Sequence, residues 1–386
     1  MATGTATTYN LTTGIKLNVE NMIWIITPTD VPLQGTMGAD GRTALSSDTC
    51  FEKKIEWLDE VLLVPTGTLT SNVTNIATDL LVTAGGGSLN FNIGDVILVD
   101  TEQVIVTAYS ATTANDLVVT RGFGGTTASI HATSAVLTGV GMALAEGSDA
   151  GAARAVDRTN RNNFTQIFGP IAVQVSGTEN SIQKYGLTGT EFDKQVANRI
   201  KEVCVAYEQA LLYGTQFEST TTNVRTMGGF ANYITANVDS TTTTLTEAAL
   251  LAQLKVCFDA GGTPDRIVVG SKQKQAISGF ASPSGSTTAV NTGASMVRYA
   301  QDTNIRGQVV DYYDSDFGRQ TIVLDRWARQ ADAFIFERDQ ATMATLRPLT
   351  FEMLAKTGDS TKGQVVGEKS LWFRRPTWAA RFSALT

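Results

Sequence analysis

Between Thr190 and Gly214 the apolar residues Phe192, Val196, Ile200, Val203, Tyr207 and Leu211 recur at spacings of three and four, which predicts a helix with one buried stripe. Thr190, with Asp193 three positions on, comes close to a capping box, and Gly214 marks the end. About 24 residues at a rise of 1.5 Å make a rod of roughly 36 Å, long enough to span a domain. A second helix is predicted from Thr246 as cap, through Leu250, Leu251, Leu254 and Phe258, to Gly261 and Gly262, with Leu245 and Leu250 placed as a hydrophobic staple. Pro264 then leads into a strand over Arg266–Val269 and a short helix from near Ser271. Strands follow near Gln308–Tyr313, Gln320–Leu324 and Ala333–Glu337, an alternation that fits a mixed domain with a small sheet. The tail from Phe351 to Thr386 is extended, with Leu371, Phe373 and Phe382 among its apolar positions.

Elsewhere the period is two. Phe51, Ile55, Trp57, Val61 and Leu63 fall on one side and Glu52, Lys54, Glu56 and Glu60 mostly on the other, which predicts a half-buried strand ending at Pro65. From about Thr66 to Gly141, β-branched runs such as VILVD, QVIVTAYS and DLVVTRGF alternate with the turn stretches GGGS, NIGD, TAND and GGTT, as in a small barrel or sandwich. Since its flanks are extended and charged, this segment reads as a domain inserted at the tip of a long hairpin, where an insertion breaks few packed contacts. From Ala143 to Thr190 roughly forty residues carry no periodicity able to build a core, an uncommon feature inside a compact domain. Ile171, Val173 and Val175 on alternate positions, with Arg154, Arg158 and Arg161, predict an extended arm whose partner lies on another subunit. Near the start, Pro28 and Pro32 forbid a regular helix in MIWIITPTDVPL, so an N-terminal arm tied down by Met22, Trp24 and Ile25 is expected.

Composition narrows the class. At 386 residues the chain has room for two or three domains. Charged residues make up 17%, below the usual quarter, so the surface relies on Thr, Ser, Asn and Gly more than on salt bridges. A net charge of −7 argues against a surface that grips nucleic acid as a whole, and leaves room only for loose contact with packaged DNA. Cys50, Cys204 and Cys257 are far apart and odd in number, which excludes a disulfide framework or a CxxC metal site and fits reduced core residues made in a cytoplasm. No segment approaches eighteen continuous apolar residues, and MATGTATTYN lacks the features of a signal peptide; a soluble protein made without export is expected.

No catalytic constellation emerges. The single histidine, His131, reads as a surface or turn residue, and no GxSxG elbow accompanies it. The stretch Arg121–Gly125 lacks the lysine of a phosphate loop and reads as a hairpin turn; Gly270, Ser271 and Lys272 have no glycine-rich loop before them. Asp311, Asp314 and Asp316 do not match an EF-hand loop and read as a solvated turn. Asp59 and Glu60, adjacent on a strand, point to opposite faces and so do not form an acid–base pair. They read better as charges for a neighbour's arginines, such as Arg154, Arg158 or Arg161, with Trp57 beside them; a merely solvated edge is the alternative. No cofactor, metal or catalytic residue is expected.

The order of motifs carries a resemblance over nearly the whole chain. It runs VENMIWIITPTDVPL, FEKKIEWLDEVL, a β segment with VTRGFGGTTASIH, AEGSDA, NNFTQIFGPIAVQVSGT, YG and YEQALLYG. Downstream come RTMGGFANYI, LTEAALLAQL, GGTPDRIVVG and LAKTGDSTKGQVVGEKSLWFRRPTWA. In this order the sequence resembles the SU10-type major head proteins of tailed bacteriophages. The resemblance implies an α+β, HK97-type capsid fold with an all-β domain inserted in its extended loop, the E-loop. By position it places an N-terminal arm over 1–50, the first E-loop leg over 51–65 and the inserted domain over 66–141. The second leg and peripheral domain take 142–224 with a spine helix over 190–214; the axial domain takes 225–347, and 348–386 returns to the peripheral domain. It further implies a structural, non-enzymatic protein that self-assembles through hexameric and pentameric capsomers into an icosahedral shell around phage DNA, built in the host cytoplasm. Decoration, scaffold and portal proteins are the implied partners, and no membrane is. Trp57, Asp59, Glu60, Arg154, Arg158 and Arg161 become the candidate inter-subunit contacts. An encapsulin-like compartment, a tail-tube or decoration protein and an adhesin-type binding protein are the alternatives. Some capsids of this fold carry a lysine–asparagine cross-link, but nothing in the sequence singles out such a pair.

Overall fold

In the computed structural model, described for residues 26–35, 45–62, 64–83, 90–110, 116–148, 158–184, 187, 189–280 and 312–386, the period-two stretches become strands. In chain order these begin with β1 (Ser46–Thr49), β2 (Lys54–Glu60), β3 (Thr66–Thr68), β4 (Asp79–Leu81), β5 (Asp95–Val99), β6 (Glu102–Tyr109), β7 (Asp116–Thr120) and β8 (Val136–Met142). Next come β9 (Arg158–Phe164), β10 (Gln166–Ser176), β11 (Phe217–Ser219), β12 (Val224–Thr226), β13 (Val238–Asp239) and β14 (Arg266–Val269). The last are β15 (Tyr312–Ser315), β16 (Gly318–Leu324), β17 (Ala333–Phe336), β18 (Ala341–Met353), β19 (Ser360–Phe373) and β20 (Ala380–Phe382). The helices are α1 (Gly177–Ser181), α2 (Glu191–Tyr213), α3 (Phe230–Tyr233), α4 (Glu247–Asp259) and α5 (Ser271–Gly279). The chain is mixed α/β and divides into two units, one of Met1–Trp57 with Arg161–Thr386 and one of Leu58–Asn160.

Among the described residues the first unit holds two large sheets and the two-stranded β11–β12. A four-stranded sheet has the order β1-β18-β19-β10, with β18, β19 and β10 antiparallel and β1 parallel to β18. Helix α2 packs on it: Val203, Tyr207, Leu211 and Leu212 share a buried core with Phe168, Val365, Leu371 and Phe373. The Tyr207 ring meets Phe168 edge-on at 5.2 Å, and its hydroxyl donates to the Ser370 carbonyl. A six-stranded sheet, β13-β20-β17-β14-β16-β15, carries α4 and α5 through Leu250, Leu254, Cys257 and Ile277. Leu245 and Leu250, the staple pair, both lie in that core.

Helix α2 runs for 23 residues and its first turn carries a full capping box, the Thr190 hydroxyl accepting from Asp193 N and the Asp193 carboxylate accepting from Thr190 N. Replacing Thr190 with Ala takes the acceptor from the Asp193 amide, while the amide of residue 190 keeps its bond to the Asp193 carboxylate, and is expected to cost about 1 kcal/mol, read as a lower denaturation midpoint at unchanged slope. Gly214 closes the helix for a reason other than a left-handed backbone. Its φ is −54°, and a Cβ there would stand 2.5 Å from the carbonyl oxygens of Ala210 and Met227.

The second unit is a six-stranded antiparallel sheet, β3-β8-β5-β6-β7-β4, closed over Leu80, Phe91, Ile97, Val99, Val104, Val106, Leu117 and Leu137. The alternation of β6 decides this core: Val104 and Val106 turn in while Gln103 and Thr107 do not.

The segment after Ala143 departs from the sequence reading. It is expected to lack a core and to find its partner on another subunit, yet β10 pairs along its length with β19 of the same chain. Val173 and Val175 are buried with Phe192 of α2, and Phe168 lies in the main core. The pattern is hard to read because Gly169, at φ 103°, sits in a register shift between Phe168 and Ile171 that breaks the alternation. The strand predicted from Phe51 also differs: it spans Lys54–Glu60, Ile55 is buried, and Phe51 and Val61 are exposed. Strand β18 begins at Ala341 and runs through the boundary drawn after Arg347. Met22, Trp24, Ile25, Arg154 and Asp311 lie outside the described residues.

Candidate assembly site

Strands β2 and β9 form a two-stranded ribbon of their own. Its root is fixed by polar groups that a sequence pattern does not reveal. Asn163 is fully buried: its amide donates to the carbonyls of Leu371 (2.7 Å) and Gly228 (3.1 Å), and its oxygen accepts from the amides of Gly228 (2.8 Å) and Phe164 (2.9 Å). Both donor and acceptor capacity are used, so the residue acts as a spacer that no apolar side chain could replace. Beside it, Arg225 pairs with the buried Glu368 and donates to the Thr165 carbonyl, while the Thr165 hydroxyl donates to Glu368 at 2.6 Å. The amide of Thr165 donates to the Lys53 carbonyl, and Lys53 pairs with Glu218 at 2.9 Å. Ile55 is buried against Cys50 and Ala344.

Five of the six candidate residues are described and fall on this ribbon, Trp57, Asp59 and Glu60 on β2 and Arg158 and Arg161 on β9. Trp57 is half-buried, its ring 5.9 Å from that of Tyr233, and its indole nitrogen is buried with no hydrogen-bond partner. Burial pushes the Tyr233 hydroxyl up, and the charge of Arg161 opposes this. Asp59 is half-buried on the Trp57 side of the strand. Arg158 Nε donates to Glu60 at 3.1 Å within the same chain, and both side chains are exposed. An exposed pair of this kind contributes at most about 1 kcal/mol. Between Glu60 and the first strand of the β unit the apolar side chains Val61, Leu62 and Val64 stand exposed, as does Leu58 on the strand itself.

His131 corrects the sequence reading: it is buried, not a surface residue. Its Nδ1 lies 2.7 Å from Asp100 and its Nε2 3.1 Å from Glu102, a carboxylate with no exposure at all. Glu102 receives both arms of the Arg121 fork at 2.7 Å, and the amides of Gly122 (3.0 Å) and Ser129 (2.9 Å). Burial alone would raise this carboxyl; Arg121, the two amides and His131 outweigh it and hold it down at about 2. The Arg121–Gly125 stretch is thus a turn that delivers a guanidinium into the unit's polar centre. The arrangement is a charge-neutralising knot between Arg121 and Glu102. Asp314 pairs with Arg319. Among the described residues no cluster of three His, Cys, Asp or Glu side chains could hold a metal, and no helix is long and apolar enough to cross a membrane.

A family model described as SU10 major capsid protein matches residues 1–386. No protein of curated function matches the sequence. Among solved structures, one of Microbacterium phage Oxtober96 is 10% identical, with a TM-score of 0.49, over 98% of this chain and 99% of that one. The capsid of an empty GTA particle is 9% identical, with a TM-score of 0.48, over 99% and 100%. The SrpI encapsulin complex of Synechococcus elongatus is 11% identical, with a TM-score of 0.40, over 60% and 78%.

Proposed function

The chain belongs to the SU10 major capsid protein family, and from that premise we propose that it builds an icosahedral phage head through hexameric and pentameric capsomers, with no enzymatic role. The match of the family model over the entire chain carries this reading. In HK97-type terms the β2–β9 ribbon holds the two legs of the E-loop, the β unit over 66–141 is its insertion, and α2 is the spine helix. The four-stranded sheet belongs to the peripheral domain and the six-stranded sheet of the first unit to the axial domain. A two-stranded ribbon is marginal in water on its own, and exposed apolar side chains such as Leu58, Val61 and Leu62 gain by burial against a neighbouring protomer. Repeating that heterologous contact with a rotation that closes gives a shell. Decoration, scaffold and portal proteins would be its further partners, with loose contact to packaged double-stranded DNA and assembly in the host cytoplasm.

Expression of the full chain is expected to yield capsomers or shells visible by negative-stain microscopy. A species that stays monomeric at high concentration, with scaffold or raised salt added, overturns the proposal. Trp57→Ala, or reversal of charge at Arg154 and Arg158 together, is expected to leave the protomer folded while cutting particle yield severalfold. Unchanged yield in both variants removes Trp57, Arg154 and Arg158 from the interface.

A further inference from the structure

The segment Val31–Gln34 is seated in the core of the first unit, and one acidic side chain, Glu208, bonds two of its residues. Val31 and Leu33 are buried, and the Leu33 amide donates to Glu208 Oε1 at 2.8 Å. Gln34 Nε2 donates both to Glu208 Oε2 (2.8 Å) and to the Cys204 carbonyl (2.7 Å). Glu208 projects from α2 and has no exposed surface. The Gln34 backbone also bonds Glu208, and the stretch is held further by Leu45 N on the Leu33 carbonyl, the Trp327 indole on the Asp30 carbonyl, and an exposed Asp30–Arg326 pair.

Among the described residues no cation forms a salt bridge with Glu208. From the loop after β16, Asp325 is fully buried with one carboxylate oxygen unpartnered. From β19, Lys369 lies over the Tyr207 ring at 4.7 Å, where burial disfavours its charged form and the neighbouring Glu208 favours it. Arg326 is engaged by Asp30, and Arg329 is stacked on Tyr213 at 4.3 Å. From α2 itself Tyr207 contributes no charge, since burial pushes its hydroxyl up. Burial, and then the charge of Asp325, push Glu208 up to about 8, against the pull of the Leu33 and Gln34 donors; burial likewise pushes Asp325 up to about 6.

We propose that Glu208 is a proton-operated latch: neutral, it holds Val31–Gln34 in the core, and ionised, it releases the segment. A raised folded value means that the latch is fully set below the ordinary glutamate value of 4.5 and is lost as pH rises through about 8. Its sensitive window is therefore pH 5 to 8. The latch lies within one protomer and does not depend on the shell reading.

Amide hydrogen exchange of the full chain tests it at Leu33, whose N–H is the bond in question. After correction for intrinsic exchange, protection of Leu33 is expected to fall about tenfold per pH unit across that window, while amides of β14 stay constant. Glu208→Gln, which cannot ionise, is expected to show protection independent of pH. Asp325→Asn lowers the charge opposing Glu208, so its loss of protection between pH 5 and 8 is expected to be smaller than in the parent. Constant Leu33 protection in the parent chain, or the same slope in Glu208→Gln, overturns the latch. Should Glu208→Gln not fold, the Asp325→Asn comparison decides alone, a slope equal to the parent's counting against the proposal.

Discussion

Replacing Arg121 with Ala is expected to unfold the Leu58–Asn160 unit while the rest of the chain stays native. The guanidinium makes two bonds to Glu102 and further bonds to the carbonyls of Thr74 (2.7 Å), Ala77 (3.1 Å) and Ser129 (2.6 Å). It therefore joins three loops at the base of the sheet as well as neutralising a buried charge. Without it Glu102 keeps two amides and His131, which is too little for a fully buried carboxylate. Breaking a buried pair by removing one partner costs about 3–5 kcal/mol, a large share of the roughly 5–15 kcal/mol that holds a domain together. Calorimetry or limited proteolysis of the full chain should show one transition lowered and the other in place. Arg121→Lys keeps the charge but not the fork and should recover only part of the loss. The same pair sets an acid limit. A depressed folded value means that its contribution is complete above about 4.5 and disappears as pH falls through about 2. A variant that melts like the parent would show that the hydrophobic core of the unit, not the knot, holds it together.

Phe230→Ala is expected to be the most damaging single change in the first unit. Phe230 is fully buried on α3 and stacks on Phe336 of β17 at 4.7 Å. It also meets Phe373 of β19 edge-on at 5.3 Å. Since β17 belongs to the six-stranded sheet and β19 to the four-stranded one, this ring is where the two sheets of the unit share a core. Truncation removes contacts on both sides at once and opens a cavity that neither sheet can fill without moving the other. A buried Phe→Ala change costs about 3–5 kcal/mol, and the upper end is expected here because relaxation is blocked on both faces. Denaturant melts should show a lower midpoint for the first unit with the β unit unchanged, and Phe230→Leu should restore most of it. A loss below about 1 kcal/mol would mean that the sheets are joined by other contacts.

The elements that rest on local chemistry were legible in the sequence. The stripe from Phe192 to Leu211, the Thr190 and Thr246 caps and the strand Arg266–Val269 each announce themselves within a few residues, because caps and periodic burial are properties of neighbouring positions. The order of short motifs along the chain carries the resemblance to the family, and the family match covers the same residues. What the sequence could not decide was which polar residues are buried. Glu208 sits beside Tyr207 in a helix full of charges, Asn163 in a polar run, and His131 beside a turn, and nothing local separates them from solvated residues. Their partners lie far along the chain: Leu33 for Glu208, Leu371 for Asn163, and Glu102 for His131. The fate of β10 was hidden in the same way, since its strand pairs with residues some two hundred positions on and its alternation is broken at Gly169. Local pattern thus determined helices, caps, strands and family. Only the tertiary structure decided where charge is taken out of water, because the energy of a buried polar group depends on partners that sequence distance conceals.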